Sequence, residues 1–434
     1  MQILTLVILL SVTLGQYIAS LHLAPAQLKF LPEALTILVA LCVGVQGAPT
    51  RFRLIAARYW ITFIAIATVL VFGVLATGVE PGPLMQGARF YLRAIPMFFL
   101  PAVYMFSEAQ VRTQLRWLLA IALLQLPLSI YQRYEVYSLG HNSGDPVFGT
   151  LMISSIMSIF LIAGICIAAA LTLRKRMGRL VFFALFIIFV IPTTINETKA
   201  TIFLLPIGLV ATLVAGAAPG ARLRIAFMAT ALIAVFGALF IPIYNFFSQI
   251  NTRYPYTLQE FFTNKKFVVH YVDKNAGVDT RGEVGRIDSL VVPLQYFSSD
   301  PVHLLLGVGI GNSSGSSISG GADQGAYYSL LGRYTECTSA SAFIVETGLI
   351  GFSLVMLLYW LVFRDALWLA LNDQTLMGCL ALGWVGVTAV FVIATFYKAI
   401  HAFDSLSYLY WYFSGLIAAT RTRLSLAGPP DLPA

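Results

Sequence analysis

The chain alternates between long apolar runs and shorter polar segments. The apolar runs are close to twenty residues long, which is the length that an α-helix needs to cross about 30 Å of hydrocarbon. Because backbone amides in lipid must be satisfied within their own segment, we predict helices for these runs. The predicted spans lie near 2–20, 28–47, 59–78, 90–106, 114–132, 149–172, 180–195, 201–217, 225–247, 342–363, 377–396 and 406–420. The pattern therefore predicts an all-α polytopic membrane protein with about twelve spans.

One polar segment interrupts this pattern, between the ninth and tenth predicted spans. Residues 248–341 carry several arginines and a run of glycines and serines. A segment of this length is too long to be a simple connector. We therefore predict three parts: spans 1–9 over 1–247, one large loop with short helices over 248–341, and spans 10–12 with a short tail over 342–434.

Composition excludes a soluble domain. Hydrophobic residues make up 59% of the chain and charged residues 11%, and the mean hydropathy is +0.83. If the N-terminus is cytoplasmic, the short inside segments hold fourteen Lys and Arg, and the short outside segments hold six. This distribution follows the positive-inside rule and predicts cytoplasmic termini with the large loop on the opposite side. The net charge of +8 then reflects topology, not nucleic-acid binding.

Basic residues gather on the predicted outer side. Guanidinium groups bind phosphate oxygens in a bidentate manner, so this set suits a pyrophosphate at the membrane surface. The alternative is that these side chains lie at the membrane interface or pair with Glu197, Glu283 and Asp288. The candidates are Arg89 and Arg93, four residues apart on one helix face, with Lys199, Arg281, Arg286 and Arg333.

Other polar stretches predict structure, not chemistry. Gly307-Val308-Gly309-Ile310-Gly311 lacks the third glycine of a dinucleotide-binding loop and any Gly-Lys-Ser/Thr, so we expect a flexible turn. Glu346 is interpreted as structural, a carboxylate in the first turn of a helix. The four cysteines and five histidines show no metal-ligand spacing, so no metal site is predicted.

Three motifs in and after the loop resemble a known family. Gly285-Arg286 is followed by Pro301-Val302-His303-Leu304-Leu305-Leu306-Gly307-Val308-Gly309 and then by Glu346-Thr347-Gly348-Leu349-Ile350-Gly351. This order resembles the O-antigen polymerase and O-antigen ligase superfamily. The resemblance implies a GT-C-like bundle of about ten to fourteen helices with a large periplasmic loop in the bacterial inner membrane. It covers the loop and its flanks, and the remaining spans only by topology.

The resemblance also implies roles for individual residues. Arg286 would contact the lipid pyrophosphate, and Lys199 would occupy the basic position after the short outside turn. Ligases place a histidine nine residues before the glutamate of the last motif, where this chain has Cys337. The missing imidazole favours a polymerase, and a general base would then be a carboxylate such as Glu336 or Glu283. For Glu336 the alternative is an ion pair with Arg333.

The implied substrate is an undecaprenyl-pyrophosphate-linked oligosaccharide, used for O-antigen, capsule or exopolysaccharide. Fixed cations can stabilise the leaving pyrophosphate without a nucleotide or metal, so no cofactor is expected. Aromatic side chains beside the charges suit a glycan groove, and the candidates are Tyr327, Tyr328 and Tyr334. Membrane lipids, a chain-length regulator and a flippase are the other expected partners.

Two other classes of function compete with this interpretation. A secondary transporter or flippase of lipid-linked sugars would place ionisable residues in the middle of its spans, with broken helices in two related halves. The predicted spans are nearly free of charge, and the charges crowd the outer rim. A structural subunit of an envelope complex would tolerate loss of the loop arginines.

Overall fold

The computed structural model describes residues 1–48, 51–138, 145–250, 257–264, 284–315 and 324–426. Over these residues the chain forms helices and no strands. Eight of the described helices are long and apolar enough to cross a membrane. An all-α architecture with long apolar helices, as predicted, is therefore confirmed.

The helices before the large loop are α1 (Gln2–Ser20), α2 (Leu31–Gly47), α3 (Ala57–Thr77), α4 (Pro81–Leu92), α5 (Ile95–Val103), α6 (Glu108–Ser138), α7 (Ser154–Leu173), α8 (Arg179–Ile195), α9 (Thr201–Ala215) and α10 (Arg222–Ile250). The described helices of the loop are short: α11 (Leu258–Thr263), α12 (Asp288–Tyr296), α13 (Pro301–Leu306) and α14 (Tyr328–Thr335). The last three helices are α15 (Ser339–Asn372), α16 (Leu376–Thr395) and α17 (Asp404–Leu426).

The predicted span at 90–106 is not one continuous helix. The chain forms α4 and α5 there, with a break at Arg93 and Ala94. Pro96 has no amide hydrogen to donate to the carbonyl of Leu92, and its ring would clash there, so it favours a break and lies in the first turn of α5. Arg89 and Arg93 consequently lie at the end of a short helix, not at the start of a span.

The interior is built around α16, which packs against α7, α9 and α15 and is buried over most of its length. Glycines bring two of these helices into close contact: a Cβ at Gly386 would lie 2.4 Å from the carbonyl oxygen of Gly208. Small residues permit such approaches between helices in lipid. On the outside of the bundle, Ile37, Leu41 and Val45 follow one another a turn apart on α2 and are mostly exposed. An apolar face of this kind suits lipid.

Polar contacts collect at two ends of the bundle. Helices α3 and α15 run antiparallel, because Arg58 at the start of α3 contacts Asp365 near the end of α15, whereas Thr77 donates to the carbonyl of Val308 beside the start of α15. We call the end with Thr77, Ser339 and Asp404 the loop end. The end with Arg58, Asp365 and Arg421 is called the far end.

Candidate functional site at the loop end

The glycine turn at 307–311 packs closely against the helices, contrary to the flexible turn expected. Gly307, Gly309 and Gly311 have φ of 74°, 82° and 83°, which L side chains rarely adopt. A Cβ at Gly311 would lie 1.8 Å from the carbonyl oxygen of Pro83. The turn is therefore a rigid scaffold, because its main chain touches the main chain of α4.

Glu346 attaches this turn to α15. It lies well inside the helix, not in its first turn, and is almost fully buried. Its Oε1 accepts hydrogen bonds from the hydroxyl groups of Ser313 and Ser314, both at 2.8 Å. The predicted structural role is consistent with these contacts, but the physical reason is the serine contacts and not the helix dipole.

Arg286 lies just before α12, against the start of α15. The Ser289 hydroxyl donates to the Arg286 carbonyl at 2.8 Å, and Ser341 donates to the Ser289 carbonyl at 2.5 Å. The Arg286 guanidinium lies over the ring of Tyr397, 5.7 Å from its centroid. Cys337 is the residue at the ligase histidine position, and its thiol contacts the Val284 carbonyl at 3.6 Å. The segment that carries Arg286 is therefore fixed by both α15 and the turn after α16.

Lys199 is held in the turn between α8 and α9. Asn196 fixes this turn by donating to the Ser154 carbonyl at 2.8 Å, and Glu197 pairs with Arg133 at 3.0 Å. The Lys199 ammonium lies between two aromatic faces, 5.8 Å from the ring of Tyr244 and 5.2 Å from that of Phe261. Such faces attract a cation.

Lys199 and Arg286 come from distant parts of the sequence and both lie at the loop end, where the Arg286 charge affects the Lys199 amine. The pKa of Lys199 is lowered, chiefly by burial and also by the nearby Arg286 guanidinium, whereas Glu197 and Asp145 oppose this shift. Burial and a like charge both disfavour the protonated amine. An anion bound between the two side chains would relieve that cost, as a phosphate group does.

Arg89 and Arg93 form a separate charge cluster. Arg89 Nε lies 2.6 Å from Glu33 Oε1, and Arg93 Nη1 lies 3.2 Å from the same oxygen and 2.9 Å from Asp404 Oδ1. Arg93 Nη2 also donates to the Ala402 carbonyl at 2.6 Å. Two carboxylates thus balance two guanidinium groups, so this cluster ties α2, α4 and α17 together.

The residues predicted around α14 divide between packed and exposed positions. Arg333 donates to the Tyr334 hydroxyl at 2.9 Å, and within the described residues it forms no ion pair with Glu336. The Glu336 carboxylate instead raises the pKa of Tyr328. Tyr334 is buried and Tyr327 packs beside it in a small apolar cluster. Arg333 and Glu336 are exposed, whereas Tyr327 and Tyr328 are half-buried. The alternative of an Arg333–Glu336 ion pair is wrong.

Two predicted residues, Arg281 and Glu283, lie outside the described residues. Their predicted roles as a pyrophosphate ligand and a catalytic base stay predictions.

Sequence reasoning missed His401, in the turn between α16 and α17. Its Nδ1 lies 2.9 Å from the Ser339 hydroxyl, two residues from Cys337. Burial and the nearby Arg93 lower the pKa of His401 to about 3, so the imidazole is neutral at physiological pH. No sequence motif includes His401. It lies beside Ser339 because the turn between α16 and α17 packs against the start of α15.

The sequence matches no protein-family model, and no curated protein matches it. Within the described part of the chain, no three His, Cys, Asp or Glu side chains converge as metal ligands. The grouping of Lys199 and Arg286 at the loop end is therefore the main structural basis for a function.

Proposed function

We propose that this chain is a membrane glycosyltransferase that polymerises lipid-linked oligosaccharide repeat units. The donor is an oligosaccharide on undecaprenyl pyrophosphate, and the acceptor is a sugar hydroxyl of another unit. The single observation that carries this proposal is a pair of basic side chains at the loop end of a bundle of apolar helices, Lys199 over Tyr244 and Phe261 and Arg286 over Tyr397. A lipid-linked pyrophosphate is the anion that reaches such a place from the bilayer.

The reaction needs charge stabilisation more than covalent chemistry. The bond between the sugar C1 and the pyrophosphate oxygen breaks, and a bond from the acceptor oxygen to C1 forms. Negative charge grows on the leaving pyrophosphate, and the preorganised cations Lys199 and Arg286 stabilise it. The acceptor proton passes to a base, for which Glu336 is an accessible carboxylate.

The proposed arrangement is a GT-C-like bundle of about twelve passes in the bacterial inner membrane, with the loop end periplasmic and both termini cytoplasmic. The eight long apolar helices support it, as do the shorter apolar helices α8 and α9. The broken pair α4 and α5, and the buried helix α17, would supply the remaining passes. The positive-inside distribution of Lys and Arg supports the orientation.

Lipid-linked glycans from a strain that lacks this chain test the proposal. We expect single repeat units to accumulate on the outer face, because their supply continues and their joining stops. Accumulation of full-length polymer on the lipid carrier would instead indicate a ligase. Units retained on the cytoplasmic face would indicate a flippase, and an unchanged profile would rule out all three.

The lowered pKa of Lys199 predicts a pH dependence. The amine must be protonated to bind the donor, so kcat/KM should fall as pH rises through that pKa, below the pH at which an ordinary lysine loses its proton. Lys199→Arg keeps the charge at high pH, since arginine stays protonated to above pH 12. In an elongation assay with liposomes, we expect the decrease in kcat/KM of Lys199→Arg to occur at higher pH than that of the wild type. Lys29→Arg, at an exposed position, serves as the control, and identical profiles for wild type and Lys199→Arg would contradict this role.

A further inference from the structure

A second feature lies away from the loop-end cations: an apolar cavity of about 240 Å³ inside the bundle. It is lined by α6, α7, α16 and α17, with the middle of α8 at one side. Its walls are aliphatic and aromatic, for example Phe160, Trp384 and Phe413. The charged residues of its lining are Arg112 and Arg116, at the far end.

The cavity extends along the axis of α16. Along α16 it is lined from Leu376, at the far end, to Phe391. At 1.5 Å per residue these positions are about 22 Å apart. A long, narrow, apolar space of this kind suits one hydrocarbon chain better than a compact polar ligand.

A cavity with apolar walls is not expected to contain ordered water. Apolar cavities of about 150 Å³ stay dry and take up small apolar molecules, since water needs two to four polar partners. Of the two buried polar groups that Trp384 and Tyr410 bring to the wall, the Trp384 indole donates to the Ser414 hydroxyl at 3.0 Å, whereas the Tyr410 hydroxyl has no hydrogen-bond partner among the described residues. A hydrocarbon guest therefore restores the contacts that an empty space would lose.

The opening of the cavity carries excess positive charge. Arg112 and Arg176 share one carboxylate, Glu108, at 2.8 Å and 4.0 Å. Arg116 lies one turn from Arg112 and forms no ion pair within the described residues. Arg174 reaches the same region, where it donates to the Ala370 carbonyl and the Gln374 side chain. Guanidinium groups at a hydrophobic opening match a phosphate ester whose chain enters the opening.

We propose that this cavity binds one anionic glycerophospholipid from the leaflet at the far end. Its phosphate lies between Arg112 and Arg116, and one acyl chain fills the space between α6 and α16. The positive-inside distribution assigns that end to the cytoplasm, and basic pockets between helices on that side bind anionic headgroups. This lipid is distinct from the proposed donor, whose pyrophosphate lies at the loop end, and the inference does not depend on the reaction.

Two pairs of variants separate headgroup recognition from chain binding. Arg112→Ala with Arg116→Ala removes the charges at the opening, and Arg364→Ala with Arg423→Ala removes two exposed charges from the far end without touching the cavity. Ala163→Phe fills the cavity, and Ala67→Phe adds the same ring to an exposed position of α3. The full chain is purified in detergent and titrated with palmitoyl-oleoyl phosphatidylglycerol or phosphatidylcholine, and bound lipid is counted by native mass spectrometry.

We expect one phosphatidylglycerol per chain and weaker binding of phosphatidylcholine. The Arg112/Arg116 double variant should lose phosphatidylglycerol affinity about thirtyfold, at about fivefold for each arginine near a phosphate. Ala163→Phe should lose both lipids, and the two controls should bind as wild type does. Equal losses in the two arginine pairs would overturn the inference, as would tighter binding of a polyprenyl phosphate than of phosphatidylglycerol.

Fluorescence of Trp384 gives a second readout that does not depend on the arginine or the cavity-filling variants. Trp384 lines the cavity, so a brominated acyl chain inside it must quench this indole. The signal is isolated as the difference between wild type and Trp384→Phe. Quenching by brominated phosphatidylglycerol supports the inference, and an unquenched Trp384 at saturating lipid overturns it.

Discussion

Replacing Arg286 by alanine is expected to slow glycan transfer by about 10²–10³-fold, the loss seen when one fixed group that stabilises transition-state charge is removed. Arg286 lies beside Lys199, and its side chain is half buried over Tyr397. Its main chain, not its side chain, makes the contact with Ser289. The substitution should therefore remove the charge and the contact with Tyr397, and leave the main-chain contact of the segment with Ser289 in place. Elongation of a lipid-linked repeat unit by purified protein in liposomes measures the effect.

The controls for Arg286→Ala distinguish a catalytic defect from misfolding. Arg286→Lys should retain part of the activity, because an ammonium keeps the charge but loses the bidentate geometry. Lys29→Ala removes an exposed cation at the same end and should leave the rate unchanged. Wild-type activity in Arg286→Ala, or a loss matched by an equal loss of folded protein on size exclusion, would refute the role.

Replacing Asp365 by alanine is expected to lower the free energy of unfolding by about 3–5 kcal/mol, the cost of removing one partner from a buried ion pair. The Asp365 carboxylate is fully buried and accepts hydrogen bonds from Arg58 at 2.6 Å and 2.7 Å and from the Tyr59 hydroxyl at 3.0 Å. Arg421 completes the cluster. Without the carboxylate, two guanidinium groups face each other among apolar helices. Thermal unfolding in detergent should show the loss.

A matched control and a rescue sharpen the Asp365 prediction. Glu108→Ala removes a carboxylate at the same end from an exposed pair with Arg112, and should cost less than about 1 kcal/mol. Replacing Asp365, Arg58 and Arg421 together by apolar residues should recover much of the loss, because no buried charge is then left without a partner. If Asp365→Ala unfolds at the wild-type temperature, the cluster does not stabilise the fold.

The long helices could be predicted from the sequence because lipid imposes one simple rule on length and polarity. The run at 2–20 matches α1, and those at 59–78 and 377–396 match α3 and α16 within two residues. The failure at 90–106 has a local cause. Hydropathy measures the side chains, whereas Pro96 acts on the backbone hydrogen bonds.

The candidate site could be predicted only in part. The motif residues identified the loop and Arg286, but pairings between distant segments depend on the tertiary fold. Arg89 and Arg93 shared a predicted helix face, yet Asp404, an ion-pair partner of Arg93, lies more than 300 positions away. The expected Arg333–Glu336 pair failed because the neighbouring Tyr334 hydroxyl is the nearer acceptor for Arg333. Whether Lys199 and Arg286 bind pyrophosphate stays a prediction.

The cluster at Asp365 also constrains how the chain is assembled in the bilayer. Arg58 is synthesised 307 residues before Asp365, and Arg421 follows Asp365 by 56 residues. During translation, Arg58 can pair with Asp365 only after α15 has been synthesised. The contact among all three residues can form only after α17 has been synthesised. The carboxyl-terminal helix α17 is therefore needed to complete the contacts of helices that were synthesised much earlier. A chain truncated before Arg421 would lack one of the two arginines that pair with Asp365.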